Sequence, residues 1–189
     1  MNQDHTLIRH LRAGKVAVIP TDTLYGIVAR VARPEAVNHI YNLRRRTPSK
    51  PCIILISELG QLEGLGITPT VLQRSMLERL WPNPISIILP THRSDLEYLH
   101  RGTNTLAVRL PDSRELRELI TQTGPLIAPS ANHEGFPPAE TIEQAKAYFG
   151  EEHVQYIDGG LRQAQPSGLI DLSGTVPTIL RPIPNGITF

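Results

Sequence analysis

Five polar clusters in this chain carry residue types that bind anions, sugars and amino acids. Four of them directly follow an apolar run: Pro20-Thr-Asp-Thr-Leu-Tyr-Gly26, Arg109-Leu-Pro-Asp112, Pro129-Ser-Ala-Asn132 and Arg181-Pro182. The fifth, Arg44-Arg-Arg-Thr-Pro-Ser-Lys50, precedes one. Loops at strand ends are where sheets flanked by helices place their ligand sites. Guanidinium groups grip phosphate oxygens in pairs and lysine adds a mobile point charge, so Arg44, Arg46 and Lys50 can form a phosphate cradle. The same run also suits the negative end of a helix dipole with its side chains in water, and charge pattern alone favours that plainer reading. Thr21, Asp22, Thr23 and Tyr25 bring two hydroxyls, a carboxylate and a phenol around Gly26, either as ligand groups or as a turn satisfying its own amides. Ser130 and Asn132 offer a hydroxyl and an amide to a sugar, amide or phosphate, although in isolation a plain turn is the simpler account. Arg109 and Arg181 are anion ligands or solvated strand residues.

What is missing narrows the chemistry. The chain has no Walker-type loop, dinucleotide fingerprint, GxSxG elbow or HExxH pair. Binding and charge neutralisation are on offer, with little sign of a proton-shuttling base.

The elements that must position these clusters are readable from hydrophobic spacing. Helices are predicted from Thr6 to Arg12, from Pro34 to the Arg44–Arg46 run, from a Thr68-Pro69 start to Leu80, from Ser113 to Thr123, and from Thr141 to about Gly150. In the third of these, Val71, Leu72, Met76, Leu77 and Leu80 are expected to face inward. Strands are predicted at 15–19, 52–56, 85–89, 105–110, 126–128, 154–157, 169–172 and 178–181. Strands and helices interleave, giving an α/β or α+β architecture. The strands near 169–181 lie too close together for helical crossovers, which predicts a mixed parallel and antiparallel sheet.

The chain has 189 residues, long enough for one compact domain over 1–189. Nineteen Lys and Arg against 18 Asp and Glu leave a net charge of +1, so an anion site must come from local clustering of cations. No apolar stretch approaches the ~18 residues that span a bilayer, and the N-terminus lacks a secretory core, so a cytoplasmic protein without membrane contact is expected. Cys52 is the single cysteine, which excludes an intrachain disulfide and a cysteine-based zinc site. No metal-binding residues are assigned.

Taken in order, PTDTLYG at 20–26, Arg44-Arg45-Arg46 with Lys50-Pro51, WPNP at 81–84, AVRLPD at 107–112, PSAN at 129–132, DGG at 158–160, and PSGLIDL followed by ILRP at 166–182 resemble the TsaC/YrdC/Sua family of threonylcarbamoyl-AMP synthases. The resemblance covers nearly the whole chain and raises the phosphate-cradle reading above its alternative. Arg44 stands where the family usually has lysine, and Asn83 where it has glycine.

The resemblance implies a twisted mixed sheet with flanking helices around a large basic cavity. It implies a nucleotidyltransferase that joins L-threonine, bicarbonate and ATP into L-threonylcarbamoyl-AMP and pyrophosphate, with Mg²⁺ on the ATP phosphates. The product serves threonylcarbamoyladenosine modification of tRNA, which makes tRNA and a downstream threonylcarbamoyl transferase the implied partners. Carried over by position, Arg46 and Lys50 meet the phosphates and are the catalytic candidates. Arg44, Thr105, Ser130, Asn132 and Arg181 join them at ATP, while Thr23, Tyr25, Arg109 and Ser167 surround the threonine, Arg109 at its carboxylate. Two competing readings are an RNA-gripping module without catalysis and a related enzyme forming a carbamoyl-adenylate from carbamoyl phosphate.

Overall fold

The computed structural model describes residues 2–183. In chain order the elements are α1 (Asn2–Arg12), β1 (Val16–Pro20), β2 (Tyr25–Arg30), α2 (Pro34–Arg44), β3 (Ile54–Leu55), α3 (Gln61–Gly64), α4 (Val71–Leu80) and β4 (Ile85–Pro90). A single 3₁₀ turn, Ser94–Leu96, leads into α5 (Glu97–His100). Then follow β5 (Thr105–Arg109), α6 (Arg114–Thr123), β6 (Leu126–Ile127), α7 (Ile142–Phe149), β7 (Val154–Tyr156), β8 (Gly168–Asp171) and β9 (Thr178–Arg181).

The strands form one sheet in the order β7-β1-β2-β6-β3-β5-β4-β8-β9. Three pairs are parallel (β1 with β7, β3 with β5, β4 with β8) and the other five antiparallel, so the expected mixed sheet is what the chain builds. Its two faces are treated differently. One face buries Val16, Val18, Ile27, Ile54, Ile85, Ile87, Leu106, Val108 and Ile170 against α2, α4, α5 and α7. On the other, Leu7 and Leu11 of α1 and Leu116 and Ile120 of α6 cover Ala17, Ile19, Val28, Leu55 and Leu126. No residue of β4, β5, β8 or β9 belongs to that second cluster. Leu55 pairs with Arg109 across the parallel β3/β5 ladder, so Arg109, Ala107 and Thr105 share its face by strand alternation. Half of that face is therefore left for something other than a helix.

Local sequence explains most boundaries. α2 opens with Pro34 in its first turn and closes on Arg45 in the left-handed region at φ 51°. α6 starts on Ser113, whose hydroxyl accepts from the Leu116 amide, and α7 on Thr141, which accepts from Gln144.

Three expectations are corrected. β2 occupies Tyr25–Arg30, where the sequence reading continued a loop as far as Gly26 and placed no strand. The cap of α4 is Thr70, in a reciprocal capping box with Gln73, so the cap falls two residues after the expected Thr68. Val71 and Leu72 accordingly face outward, at 89% and 64% exposure, while Leu77 and Leu80 are buried as expected. The 52–56 strand pairs only through Ile54 and Leu55.

Candidate active site

Two adjoining cavities occupy the uncovered half of the sheet. The larger, about 350 Å³, is floored by Thr105 and Ala107 of β5, Ile88 of β4 and Leu169 of β8. Arg44, Arg46, Arg181, Thr103 and Ser130 complete its walls with Pro51, Cys52, Ile53 and Pro129. The smaller, about 150 Å³, is enclosed by Thr21, Thr23, Tyr25, Arg109 and Ser167. By the ~30 Å³ a liquid water takes, that is about five water volumes, the scale of one small amino acid. Ile53, Ser130 and Arg181 line both cavities, so the two are neighbouring compartments of one site. Neither lining contains an aspartate or glutamate. A chain of net charge +1 thus concentrates four arginines around one hollow.

The three consecutive arginines part ways because the helix ends between them. Arg44 is 3% exposed; its Nε donates to the Asn132 carbonyl (3.1 Å), and Nη2 donates to Asn132 Oδ1 (2.8 Å) and Ser130 Oγ (3.3 Å). Its Nη1 is buried without a partner among the described residues. Arg45, in the left-handed conformation, turns to solvent. That reversal brings Arg46 back to the cavity wall, where Nε donates to the Lys50 carbonyl and Nη2 to the Pro51 carbonyl (3.1 and 2.8 Å). Lys50 is set apart: its ammonium pairs with Glu134 at 2.8 Å, it is 60% exposed, and it lines neither cavity.

Ser130 lines both compartments and donates to Asn132 Oδ1 at 2.7 Å. The Asn132 amide nitrogen donates to the His133 and Phe136 carbonyls, which leaves this side chain behind Arg44, outside both linings. Two backbone bonds, Ala131 N–H to the Tyr25 carbonyl and Ile27 N–H to the Pro129 carbonyl, stitch the 129–132 loop onto β2. Gly26 lies at this junction, where an added Cβ would sit 3.1 Å from the Thr21 methyl.

Beside the smaller compartment the side chains of Arg109 and Asp22, each 4% exposed, form an ion pair at 3.0 Å that lacks good hydrogen-bond alignment. Arg109 Nη1 approaches Thr23 Oγ1 at 3.4 Å, and its Nε has no partner among the described residues. Burial depresses its pKa while Asp22 opposes the shift, and a guanidinium remains charged through either influence. Arg181 is positioned by Ser167, through Nη2 to Oγ (3.1 Å) and Nε to the carbonyl, and Ser167 Oγ also meets Ser86 Oγ at 2.9 Å. Arg181 has no carboxylate partner among the described residues, and burial lowers its pKa.

Tyr25 is fully buried, and its hydroxyl is consumed by the Asp158–Gly160 turn. It donates to the Gly160 carbonyl (2.8 Å) and accepts from the Gly159 amide (2.8 Å). Burial pushes its pKa up. Gly159 is required there, because a Cβ would fall 2.6 Å from Pro20 Cβ. Tyr25→Phe should therefore cost about 1–2 kcal/mol of stability in urea denaturation, since it orphans a part-buried amide and carbonyl. Faster hydrogen exchange at the Gly159 amide is the local readout; an unchanged exchange rate would show that the turn is held elsewhere.

The structure brings Arg44, Arg46, Thr105, Ser130 and Arg181 to the larger compartment and Thr23, Tyr25, Arg109 and Ser167 to the smaller. Thr103, Cys52, Ile53, Ile88, Ala107 and Leu169 were not singled out from sequence. The alternation Thr105-Leu-Ala-Val-Arg109 was the available signal for Ala107. No group of His, Cys, Asp or Glu able to hold a metal occurs among the described residues, and no helix there is long and apolar enough to cross a membrane.

Comparison with known proteins gives concordant findings. A family model named Sua5_yciO_yrdC, described as "Telomere recombination", matches residues 9–182. A Chromohalobacter salexigens threonylcarbamoyl-AMP synthase is 33% identical over 164 residues, covering 86% of this chain and 88% of that protein. A Bacillus subtilis threonylcarbamoyl-AMP synthase is 31% identical over 186 residues, covering 94% of this chain but 52% of its own length. Among solved structures, P. abyssi Sua5 complexed with L-threonine superposes with a TM-score of 0.87 at 31% identity, covering 95% of this chain and 54% of that one. The chain thus spans about half of some relatives and most of another.

Proposed function

This chain belongs to the Sua5/YciO/YrdC family, and from that premise we propose that it is a threonylcarbamoyl-AMP synthase, a nucleotidyltransferase using L-threonine, bicarbonate and ATP. The observation that carries the reading is the pair of adjoining compartments sharing Ser130 and Arg181, each lined by arginine and free of carboxylates. In this reading ATP takes the larger one. Its adenosine lies over the apolar floor of Ile88, Ala107 and Leu169, and its phosphates face Arg44, Arg46 and Arg181, with Lys50 at the rim. Threonine takes the smaller compartment, its carboxylate meeting the unpartnered Nε edge of Arg109 and its side chain near Thr23 and Ser167, above Tyr25.

The chemistry needs little from a protein base. The threonine amine adds to the carbon of bicarbonate and water leaves, giving an N-carboxylate. One oxygen of that carboxylate attacks the α-phosphorus, the bond to the bridging oxygen breaks, and pyrophosphate departs with the electron pair. The difficulty is bringing two anions together, which charge neutralisation and positioning address. Arg181, reaching both compartments, is placed to face the point where they meet. The site offers Mg²⁺ no carboxylate of its own, so in this reading the metal enters with ATP, held by phosphate oxygens and water. The product would pass to a threonylcarbamoyl transferase acting on tRNA, in the cytoplasm.

The test is pyrophosphate release by the purified protein, expected only when threonine and bicarbonate are both present with ATP. Release indifferent to threonine defeats the substrate assignment, and release on carbamoyl phosphate instead would identify a carbamoyl-adenylate enzyme. Arg46→Ala should raise the KM for ATP by about 10- to 100-fold, the loss of a hydrogen bond to a charged group worth about 1.5–3 kcal/mol.

A further inference from the structure

At the rim of the larger cavity, the turn after α2 meets the loop after β6 through one carboxylate. Glu134 Oε2 accepts from the Thr47 amide at 2.6 Å and the Thr47 hydroxyl at 2.9 Å, and Oε1 accepts from the Lys50 ammonium at 2.8 Å. An amide, a hydroxyl and an ammonium converging on two oxygens are a donor set equally suited to a phosphate. The turn is also tied to the cavity wall, because the Lys50 carbonyl accepts from Arg46 Nε and from the Tyr41 hydroxyl (3.1 and 2.9 Å). Glu134 itself is anchored by its own amide to the Arg44 carbonyl at 2.8 Å. The two compartments carry no carboxylate in their linings, yet one stands just outside them, on the lysine that the synthase reading assigns to phosphate.

We propose that Glu134 is an internal counter-ion occupying the place of phosphate oxygens in the Thr47–Lys50 turn, that the terminal phosphate of ATP displaces it, and that Glu134 thereby sets affinity for the triphosphate. The inference rests on the synthase reading of the site. An exposed ion pair is weakly held against water, so a multiply charged triphosphate can exchange into it where a singly charged anion competes poorly. On exchange Lys50 turns from the rim to the phosphate, and the Glu134 carboxylate is released to solvent.

Lys50, with the Thr47 amide and hydroxyl, pushes the Glu134 pKa down to about 2. The clamp is therefore fully formed above the ordinary carboxylate value and is lost only as pH falls toward that depressed one. Any effect of Glu134 on ATP binding should accordingly be flat from about pH 6 to pH 9.

The test is Glu134→Gln, whose amide oxygen still accepts from Thr47 but no longer neutralises Lys50. Calorimetry should show ATP and inorganic tripolyphosphate each binding about two- to fivefold tighter than to the wild type, the scale of an exposed pair. In a Lys50→Ala background the same substitution should change ATP affinity by less than about 1.5-fold, because the coupling partner is gone. Equal or weaker ATP binding by Glu134→Gln overturns the proposal and leaves the carboxylate a loop anchor or an aid to the metal carried by ATP. ATP binding that Arg46→Ala weakens and Glu134→Gln leaves unchanged overturns this inference alone. No ATP binding by the wild type overturns the synthase reading and this inference with it.

Discussion

Arg109→Met is expected to lose about 3–5 kcal/mol of stability and to abolish threonine-dependent pyrophosphate release. The stability loss follows from Asp22, which is 4% exposed, pairs with Arg109 at 3.0 Å and would be left as a buried charge without its counter-ion. In a chain of this length that corresponds to a fall in Tm of roughly 6–20 °C. The loss of activity has a separate cause, the removal of a guanidinium that lines the small compartment and whose Nε is buried with no partner among the described residues. The two causes separate in the double variant Asp22→Asn with Arg109→Met. Removing both charges replaces a broken ion pair with a neutral amide, which still accepts from the Asp112 backbone as Asp22 does at 3.3 Å. Stability should largely return, measured by urea denaturation, while threonine use should not. A double variant that regains threonine-dependent turnover would remove Arg109 from carboxylate recognition. A single variant within about 1 kcal/mol of wild type would show that water reaches Asp22.

How much of this was legible beforehand depends on how local the determinants are. The alternation Thr105-Leu-Ala-Val-Arg109 fixed both a strand and a face, and the face proved to be a cavity floor because α1 and α6 stop short of it, which no local pattern records. β2 escaped notice because its first two residues, Tyr25 and Gly26, belong to a motif that reads as a turn. Its strand character comes from pairing with β1 and from the bridge between Gly26 and Ser130. At α4 two threonines competed for the cap. Thr70 prevails with Gln73 three residues on, whose amide nitrogen also reaches the Leu172 carbonyl at 2.8 Å, and this turns Val71 and Leu72 outward. The ordered motifs identified the family chemistry, yet could not sort Arg44, Arg45 and Arg46. Their directions depend on one left-handed residue and on acceptors 86 and 88 positions away. Lys50 is the converse case: a cation placed by motif on the phosphates stands here against Glu134, a contact across 84 residues.

The second large effect is expected at Arg44, and it concerns binding as much as folding. Arg44 spends Nε and Nη2 on Asn132 and Ser130 and keeps Nη1 buried with no acceptor. A buried donor left unmade costs about 1–3 kcal/mol, so the free protein carries a cost that an incoming phosphate oxygen would remove. Burial also depresses the Arg44 pKa, the response expected of a cation deprived of solvent and of a close counter-ion. ATP should therefore raise the Tm of the wild type by more than it raises that of Arg44→Ala, by the logic that a ligand stabilises in proportion to its preference for the folded state. Arg44→Ala should also lower basal stability by about 2–4 kcal/mol, since the Asn132 carbonyl and side-chain oxygen each lose a donor. Arg44→Lys, which restores the residue usual in the family, keeps the charge but has one ammonium for acceptors that the planar guanidinium met together. It should fall between the two, closer to the wild type in its ATP-induced shift than in its basal Tm. Thermal melts of the three proteins across an ATP series decide the matter. Equal ATP-induced shifts in all three would mean that Nη1 never meets the nucleotide, and Arg44 would then be a positioning residue that only holds Ser130 and Asn132 in register.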